Sequence, residues 1–221
     1  MNISDLGWNN FFRQHFDSHE HDGMVPARVS REYRNIYHVI CKAGELIAEV
    51  SGRFRHEARS RADFPAVGDW VAVSSRPGEA RATIHRLLPR RSGFSRKAVL
   101  TGGMPDTGGK TDEQILAANI DTVFLVSGLD GDYNVRRIER YLTVAWDSGA
   151  APVVVLNKVD ICPDIEVVVD EIAQIAIGVP ALTVSAARDE GMDKIAGHIP
   201  SGRTAVFLGS SGVGKSTIIN R

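Results

Sequence analysis

The chain has 221 residues, 43% of them apolar and 24% charged, which is enough to bury a substantial core in one large or two small domains and is the composition of an ordinary soluble protein. It holds no apolar run long enough for a helical membrane span, and its start, MNISDLGWNNFFRQHF, lacks the basic opening, apolar stretch and small-residue cleavage site of a signal peptide, so the cytoplasm is the expected location and no membrane partner is expected. The formal net charge of −1 conceals a split: residues 25–97 carry fifteen Arg/Lys against seven Asp/Glu, residues 1–24 one against four, and residues 98–221 ten against sixteen. Only the basic part is a natural polyanion binder.

Residues 1–24 predict a short helix around Leu6–Phe16 followed by a flexible join; His15, His19 and His21 lie among acids there, but nothing apolar anchors them into a rigid metal site. From Val25 the pattern turns to short, often alternating strands. Val25–Val29, Tyr37–Ile40, Leu46–Val50, Trp70–Val73 and Ala80–Leu87 are separated by Lys42–Glu45, by the basic stretch Gly52–Asp63 and by Arg76–Glu79. Five such strands suit an OB-like barrel over 25–90, with Trp70 as an anchor in its core or at its end. The two cysteines, Cys41 and Cys162, fall in different expected domains and form neither a disulfide nor a metal pattern.

Arg81, Arg86, Arg90, Arg91, Arg96 and Lys97 follow within RATIHRLLPRRSGFSRK without one acid. Together with Arg53, Arg55, Arg59 and Arg61 they are candidate RNA contacts, since their charges neutralise phosphates and guanidinium planes or Phe94 can stack on unpaired bases. The plainer alternative is a solvated linker. Residues 98–113, rich in Gly, Thr and Asp, predict a mobile loop, so 91–117 reads as a basic and glycine-rich linker.

From Asp121 strands alternate with helices: strand Thr122–Ser127, helix Asn134–Ser148, strand Pro152–Leu156, helix Ile165–Ile177, strand Ala181–Val184, helix Met192–His198 and strand Thr204–Leu208. This is the signature of a doubly wound sheet with ligand motifs at strand C-terminal ends. PVVVLNKVD ends the second of these strands in Asn157, Lys158 and Asp160. The Asp160 carboxylate can accept two hydrogen bonds, from the N1–H and exocyclic amine of guanine, a pattern adenine cannot offer. Asn157 can hold the adjacent loop, and the Lys158 stem can lie over the base with its charge in solvent. At Ser185 and Ala186 a small residue lets a backbone N–H approach the guanine O6.

The chain closes on TAVFLGSSGVGKSTIINR, a strand, a glycine-rich turn and a helix start. The turn and helix start, Gly209, Ser210, Ser211, Gly212, Val213, Gly214, Lys215, Ser216 and Thr217, can cradle a nucleotide's phosphates with backbone N–H groups. Lys215 is placed to reach the β- and γ-phosphates and to stabilise charge at the transferred phosphoryl, and the Ser216 hydroxyl to ligate Mg²⁺. GTP or GDP with Mg²⁺ is therefore the expected ligand. A small-molecule kinase or ATPase using the phosphate loop alone is the weaker reading, because Asp160 selects guanine.

In an ordinary Ras-like GTPase the phosphate loop precedes NKxD, whereas here Asp160 precedes Gly209. That order resembles the circularly permuted GTPases, and among them the ribosome small subunit-dependent GTPase A family (RsgA/YjeQ-like). Phe64–Val73, the Pro89–Lys97 linker and Ala118–Asp121 resemble that family's barrel, linker and "aNiD" segment. The resemblance implies an N-terminal OB-like barrel followed by an α/β P-loop GTPase domain over 118–221, circularly permuted and incomplete at the C-terminus. It implies a GTP-hydrolysing, rRNA-binding factor for late maturation of the small ribosomal subunit, monomeric when full length and open to oligomerisation as residues 1–221 alone, with a zinc module expected only beyond Arg221. The family's switch segment and DxxG also follow the phosphate loop, so residues 1–221 alone are expected to be without turnover; a non-hydrolysing RNA- and guanine-nucleotide-binding module is the alternative.

Overall fold

The computed structural model describes residues 1–17, 23–75, 78–95 and 114–221, and the chain divides into two units, Met1–Asn119 and Ile120–Arg221. In the first unit, strands β1 (Val25–Tyr33), β2 (Ile36–Cys41), β3 (Gly44–Val50), β4 (Trp70–Ser75) and β5 (Arg81–Leu87) close a barrel in the order β1-β2-β3-β5-β4. The alternation seen in the sequence sets its interior: Val29, Val39, Leu46, Ala48, Val71, Val73 and Ile84 share one apolar core, while the alternate residues of β3 face solvent and those of β4, Trp70 and Ala72, are buried in a second cluster. Bulges in β1 and in the β4–β5 ladder add the bending that closure demands.

Two features of this unit were not legible beforehand. The basic stretch read as a connection contains a helix, α2 (Gly52–Glu57), whose start is capped by the Ser51 side chain, and a single 3₁₀ turn at Arg61–Asp63. The short helix expected around Leu6–Phe16 is α1 (Asn10–Asp17), and what the pattern did not show is how it packs. Its Phe12 and Phe16 are buried against Trp70, Ala72 and Leu88, and Trp8 meets Trp70 edge-on with ring centroids 4.7 Å apart. Trp70 is fully buried and anchors that packing, as its apolar neighbours suggested.

The linker is partly built into the same unit. Strands β6 (Gly93–Ser95) and β7 (Ile115–Ala118) pair antiparallel, Val67 bridges Ala117, and the Ala118 N–H donates to the Val67 carbonyl at 2.9 Å. Asn119 completes the join: its Oδ1 accepts from the Arg91 N–H at 2.9 Å and its Nδ2 donates to the Gly68 carbonyl at 3.1 Å. Gly68 has φ of +92°, and a Cβ there would run into the Ala118 carbonyl, so glycine is demanded twice. Residues 96–113, including the expected mobile loop, lie outside the described residues, as do His19 and His21.

The second unit is a parallel sheet in the order β10-β9-β8-β11, made of β8 (Thr122–Gly128), β9 (Ala151–Asn157), β10 (Ala181–Val184) and β11 (Ala205–Leu208). β8 is buried along its whole length, which is why it reads as a continuous apolar run. Helices α3 (Val135–Asp147), α4 (Ile165–Ile175), α5 (Met192–Gly197) and α6 (Lys215–Ile219) alternate with the strands. α3 buries Ile138, Leu142 and Ala145 on one face, and its first turn is capped by Asn134, whose Oδ1 accepts from the Arg137 N–H at 3.0 Å. All three nucleotide motifs leave the C-terminal edge of this sheet.

Candidate nucleotide-binding site

Asn157 ends β9 and is 2% exposed, so both ends of its amide need partners. Its Nδ2 donates to the Val213 carbonyl at 2.9 Å, inside the glycine-rich turn, and its Oδ1 accepts from the Ala186 N–H at 3.0 Å, after β10. One buried side chain thus joins three loops that lie far apart in the sequence. The phosphate turn is shaped to admit it: Gly214 has φ of +100°, and a Cβ there would collide with Asn157 Nδ2, just as one on Gly209 would meet the Val126 carbonyl.

Lys158 sits in the left-handed region with φ of +69°, which turns the chain into a one-turn helix, Val159–Ile161, carrying Asp160. Asp160 Oδ1 accepts from Ser185 Oγ at 2.6 Å, and Arg188 Nε lies 3.8 Å from Oδ2. The Ser185 hydroxyl first, and the Arg188 charge after it, hold the Asp160 carboxyl below its usual range. It is therefore ionised at neutral pH, the state in which it accepts hydrogen bonds from a guanine edge. Two expectations change in detail. The Lys158 ammonium is paired with Asp130 rather than left to solvent, and of the backbone N–H groups at Ser185 and Ala186, where an approach to the guanine O6 is expected, the first is donated to the Glu190 carbonyl at 3.0 Å and the second to Asn157.

In the phosphate turn Lys215 Nζ donates to the carbonyls of Gly209 at 2.8 Å and Ser210 at 2.6 Å, the turn's own acceptors. Ser211, Gly212, Ser216 and Thr217 are exposed, while Val213 is buried beneath them. The exposed Ser216 hydroxyl is the hard oxygen donor that a Mg²⁺ ion accompanying a nucleotide takes, so the residues present fit that group. Asp130, Asp132 and Arg137 were missed by motif reading. The available signal was their place: residues 129–134 leave the C-terminal end of the central strand β8, where ligands of open parallel sheets bind.

The basic candidates divide. Arg53, Arg55, Arg59, Arg61, Arg81, Arg86 and Arg91 are exposed, with Arg53 paired to Glu57 at 2.7 Å. Arg53 and Arg86 line one groove of about 790 Å³ beside α2, with Phe54 and Leu87. Arg90 must be corrected. Its guanidinium holds the fully buried Asp69 at 2.7 Å and donates to the carbonyls of Ala62 at 2.6 Å and Phe64 at 2.8 Å, which spends it on the barrel's own structure. Burial works to raise the Asp69 carboxyl, and Arg90 opposes that. Phe94 is likewise buried and presents no ring for stacking. Arg96 and Lys97 lie outside the described residues.

A model of the RsgA GTPase family matches residues 87–221. The chain is 46% identical to the small ribosomal subunit biogenesis GTPase RsgA of Opitutus terrae over 230 residues, taking in 100% of this chain and 60% of that protein. It is also 46% identical to the RsgA protein of Syntrophotalea carbinolica, again over 100% of this chain and 60% of the relative. Among solved structures, YjeQ from Thermotoga maritima superposes with a TM-score of 0.71 at 23% identity, over 89% of this chain and 64% of the other. YloQ, a circularly permuted GTPase, gives 0.65 at 21% identity, over 91% of this chain and 65% of the other. These likenesses show the fold, a barrel followed by a permuted α/β domain. The chain spans about 60% of the length of the curated relatives it matches.

Proposed function

The chain belongs to the RsgA GTPase family, and from that membership we propose that it binds GTP and GDP through Asn157, Asp160, Ser185 and the turn Gly209–Thr217, and that the whole protein hydrolyses GTP during biogenesis of the small ribosomal subunit. The observation that carries this reading is the buried Asn157, which hydrogen-bonds the phosphate turn at Val213 and the base loop at Ala186 together. Asp160 then reads the guanine edge, ionised and oriented by Ser185. Backbone N–H groups of the turn hold the phosphates, and Lys215 leaves the carbonyls of Gly209 and Ser210 to meet them. Ser216 would hold Mg²⁺, which supplies charge neutralisation at the phosphate oxygens when bound. Charge developing on the transferred phosphoryl is stabilised by Lys215.

The barrel's exposed arginines are proposed to meet ribosomal RNA, since the fifteen-to-seven charge excess of residues 25–97 is concentrated in that unit. The test of the nucleotide reading is a calorimetric titration with GTP, GDP and ATP. Guanine nucleotides should bind and ATP should not; equal affinity for ATP and GTP would remove Asp160 from its role. Release of phosphate from GTP with and without small ribosomal subunits, measured on the whole protein, tests the activity.

A further inference from the structure

The loop between β8 and α3, residues 129–134, carries none of the family's nucleotide motifs, yet its side chains are tied to two of them, the base motif and the phosphate turn. Asp130 pairs with the Lys158 ammonium of the base motif. Asp132 accepts from the Ser210 hydroxyl of the phosphate turn, and Arg137 Nη1 stands 2.7 Å from Asp132 Oδ2 and 2.7 Å from Ser210 Oγ. Tyr133 fixes the same loop from behind, its hydroxyl donating to Glu171 on α4 at 2.8 Å.

We propose that Arg137 is a positioning residue for the phosphate loop, holding Ser210 in place together with Asp132 and cancelling the Asp132 charge so that a carboxylate does not oppose the phosphates of a bound nucleotide. The inference rests on the guanine-nucleotide reading of this site. Its first ground is connectivity. Ser210 is the second residue of the turn, and its carbonyl accepts from Lys215 at 2.6 Å while its hydroxyl is held by Asp132 and Arg137. When Lys215 turns to a phosphate, the carbonyl loses that partner, and the side-chain hydrogen bonds with Asp132 of the loop and Arg137 of α3 keep Ser210 seated. The second ground is charge. A loop that collects polyanions has two carboxylates beside it, Asp130 and Asp132, and each is matched to a cation, Lys158 and Arg137. The Asp132 carboxyl is held below its usual range by the hydrogen bonds from Arg137 and Ser210, so it remains an anion near neutral pH and has to be neutralised.

The experiment is a titration of the 1–221 chain with GDP and GTP at low and high salt, for wild type and for Arg137→Ala, Asp132→Asn, the double variant, Arg137→Lys and Lys215→Ala. Arg137→Ala should weaken binding by about tenfold, as expected for loss of a charge-assisted contact beside a polyanion site. That deficit should shrink as salt rises. Asp132→Asn added to Arg137→Ala should recover most of it, as should Arg137→Lys, whereas a merely structural arginine would not be rescued by removing its partner's charge. Wild-type affinity in Arg137→Ala, or a double variant as weak as the single, would overturn the inference while leaving the site itself intact. Lys215→Ala separates the two failures: if it binds nucleotide as well as wild type, the phosphate-loop reading fails, and the role of Arg137 fails with it.

Discussion

Replacing Arg90 with Ala should destabilise the barrel severely. The guanidinium makes three contacts to Asp69, at 2.7, 2.9 and 3.1 Å, and two more to the carbonyls of Ala62 and Phe64. Asp69 is fully buried, and after the change its carboxylate keeps the Ala66 N–H at 2.8 Å and the favourable charge of Arg28. Breaking a buried ion pair by removing one partner costs about 3–5 kcal/mol. With a urea slope of about 1–3 kcal/mol per M for a small domain, the midpoint should fall by roughly 2 M. Tryptophan fluorescence is a suitable probe, because Trp70 is buried and packed on Trp8 in this unit, whereas Trp146 of the other unit is 53% exposed and reports little. Adding Asp69→Asn should restore part of the loss by removing the buried charge, leaving a neutral group short of partners at a cost of about 1–3 kcal/mol. A loss below about 1 kcal/mol in Arg90→Ala would refute the reasoning and return Arg90 to the set of surface cations. The same logic means that weakened RNA binding by an Arg90 variant has to be judged against its unfolding.

At the base, Asp160→Asn replaces a two-lone-pair acceptor with a group that presents a donor, and should cost about 2–4 kcal/mol of GTP affinity while favouring xanthine nucleotides; unchanged GTP affinity by calorimetry would contradict it. The ionised form of Asp160 binds guanine, and its carboxyl is lowered by Ser185 and Arg188, so protonation sets in only below the ordinary carboxylate range. The ratio of wild-type to Asp160→Asn affinity, in which phosphate titration cancels, should hold from pH 8 to pH 5, dropping only on further acidification; a ratio that declines above pH 5 would contradict the lowering. Gly214→Ala should abolish nucleotide binding, because the new methyl meets Asn157 Nδ2 at a φ of +100°; an affinity within threefold of wild type would show that the Asn157–Val213 contact is dispensable. Arg81→Ala with Arg91→Ala should reduce the log–log salt slope of RNA binding by roughly 1.4 if both contact phosphates of a single strand, and an unaltered slope in filter binding would place both in solvent.

The motifs and the strand pattern were legible because they are local. The alternation of β3, the continuous apolar run of β8 and the glycine turn before Lys215 each record a neighbour-to-neighbour constraint: a half-buried face, a strand covered on both sides, a backbone that must approach phosphate. The permuted order was legible too, since it is a statement about sequence positions. Tertiary structure alone decided where shared side chains were spent. In composition Arg90 is indistinguishable from Arg91, yet Arg90 reaches 21 residues back to a buried carboxylate and Arg91 lies exposed. Phe94 looked available for stacking until β6 and β7 paired around it. Asp132 and Arg137 precede Ser210 by 78 and 73 residues, and no spacing rule connects them; only the parallel sheet, which brings the C-terminal ends of β8 and β11 side by side, places those side chains on the same hydroxyl.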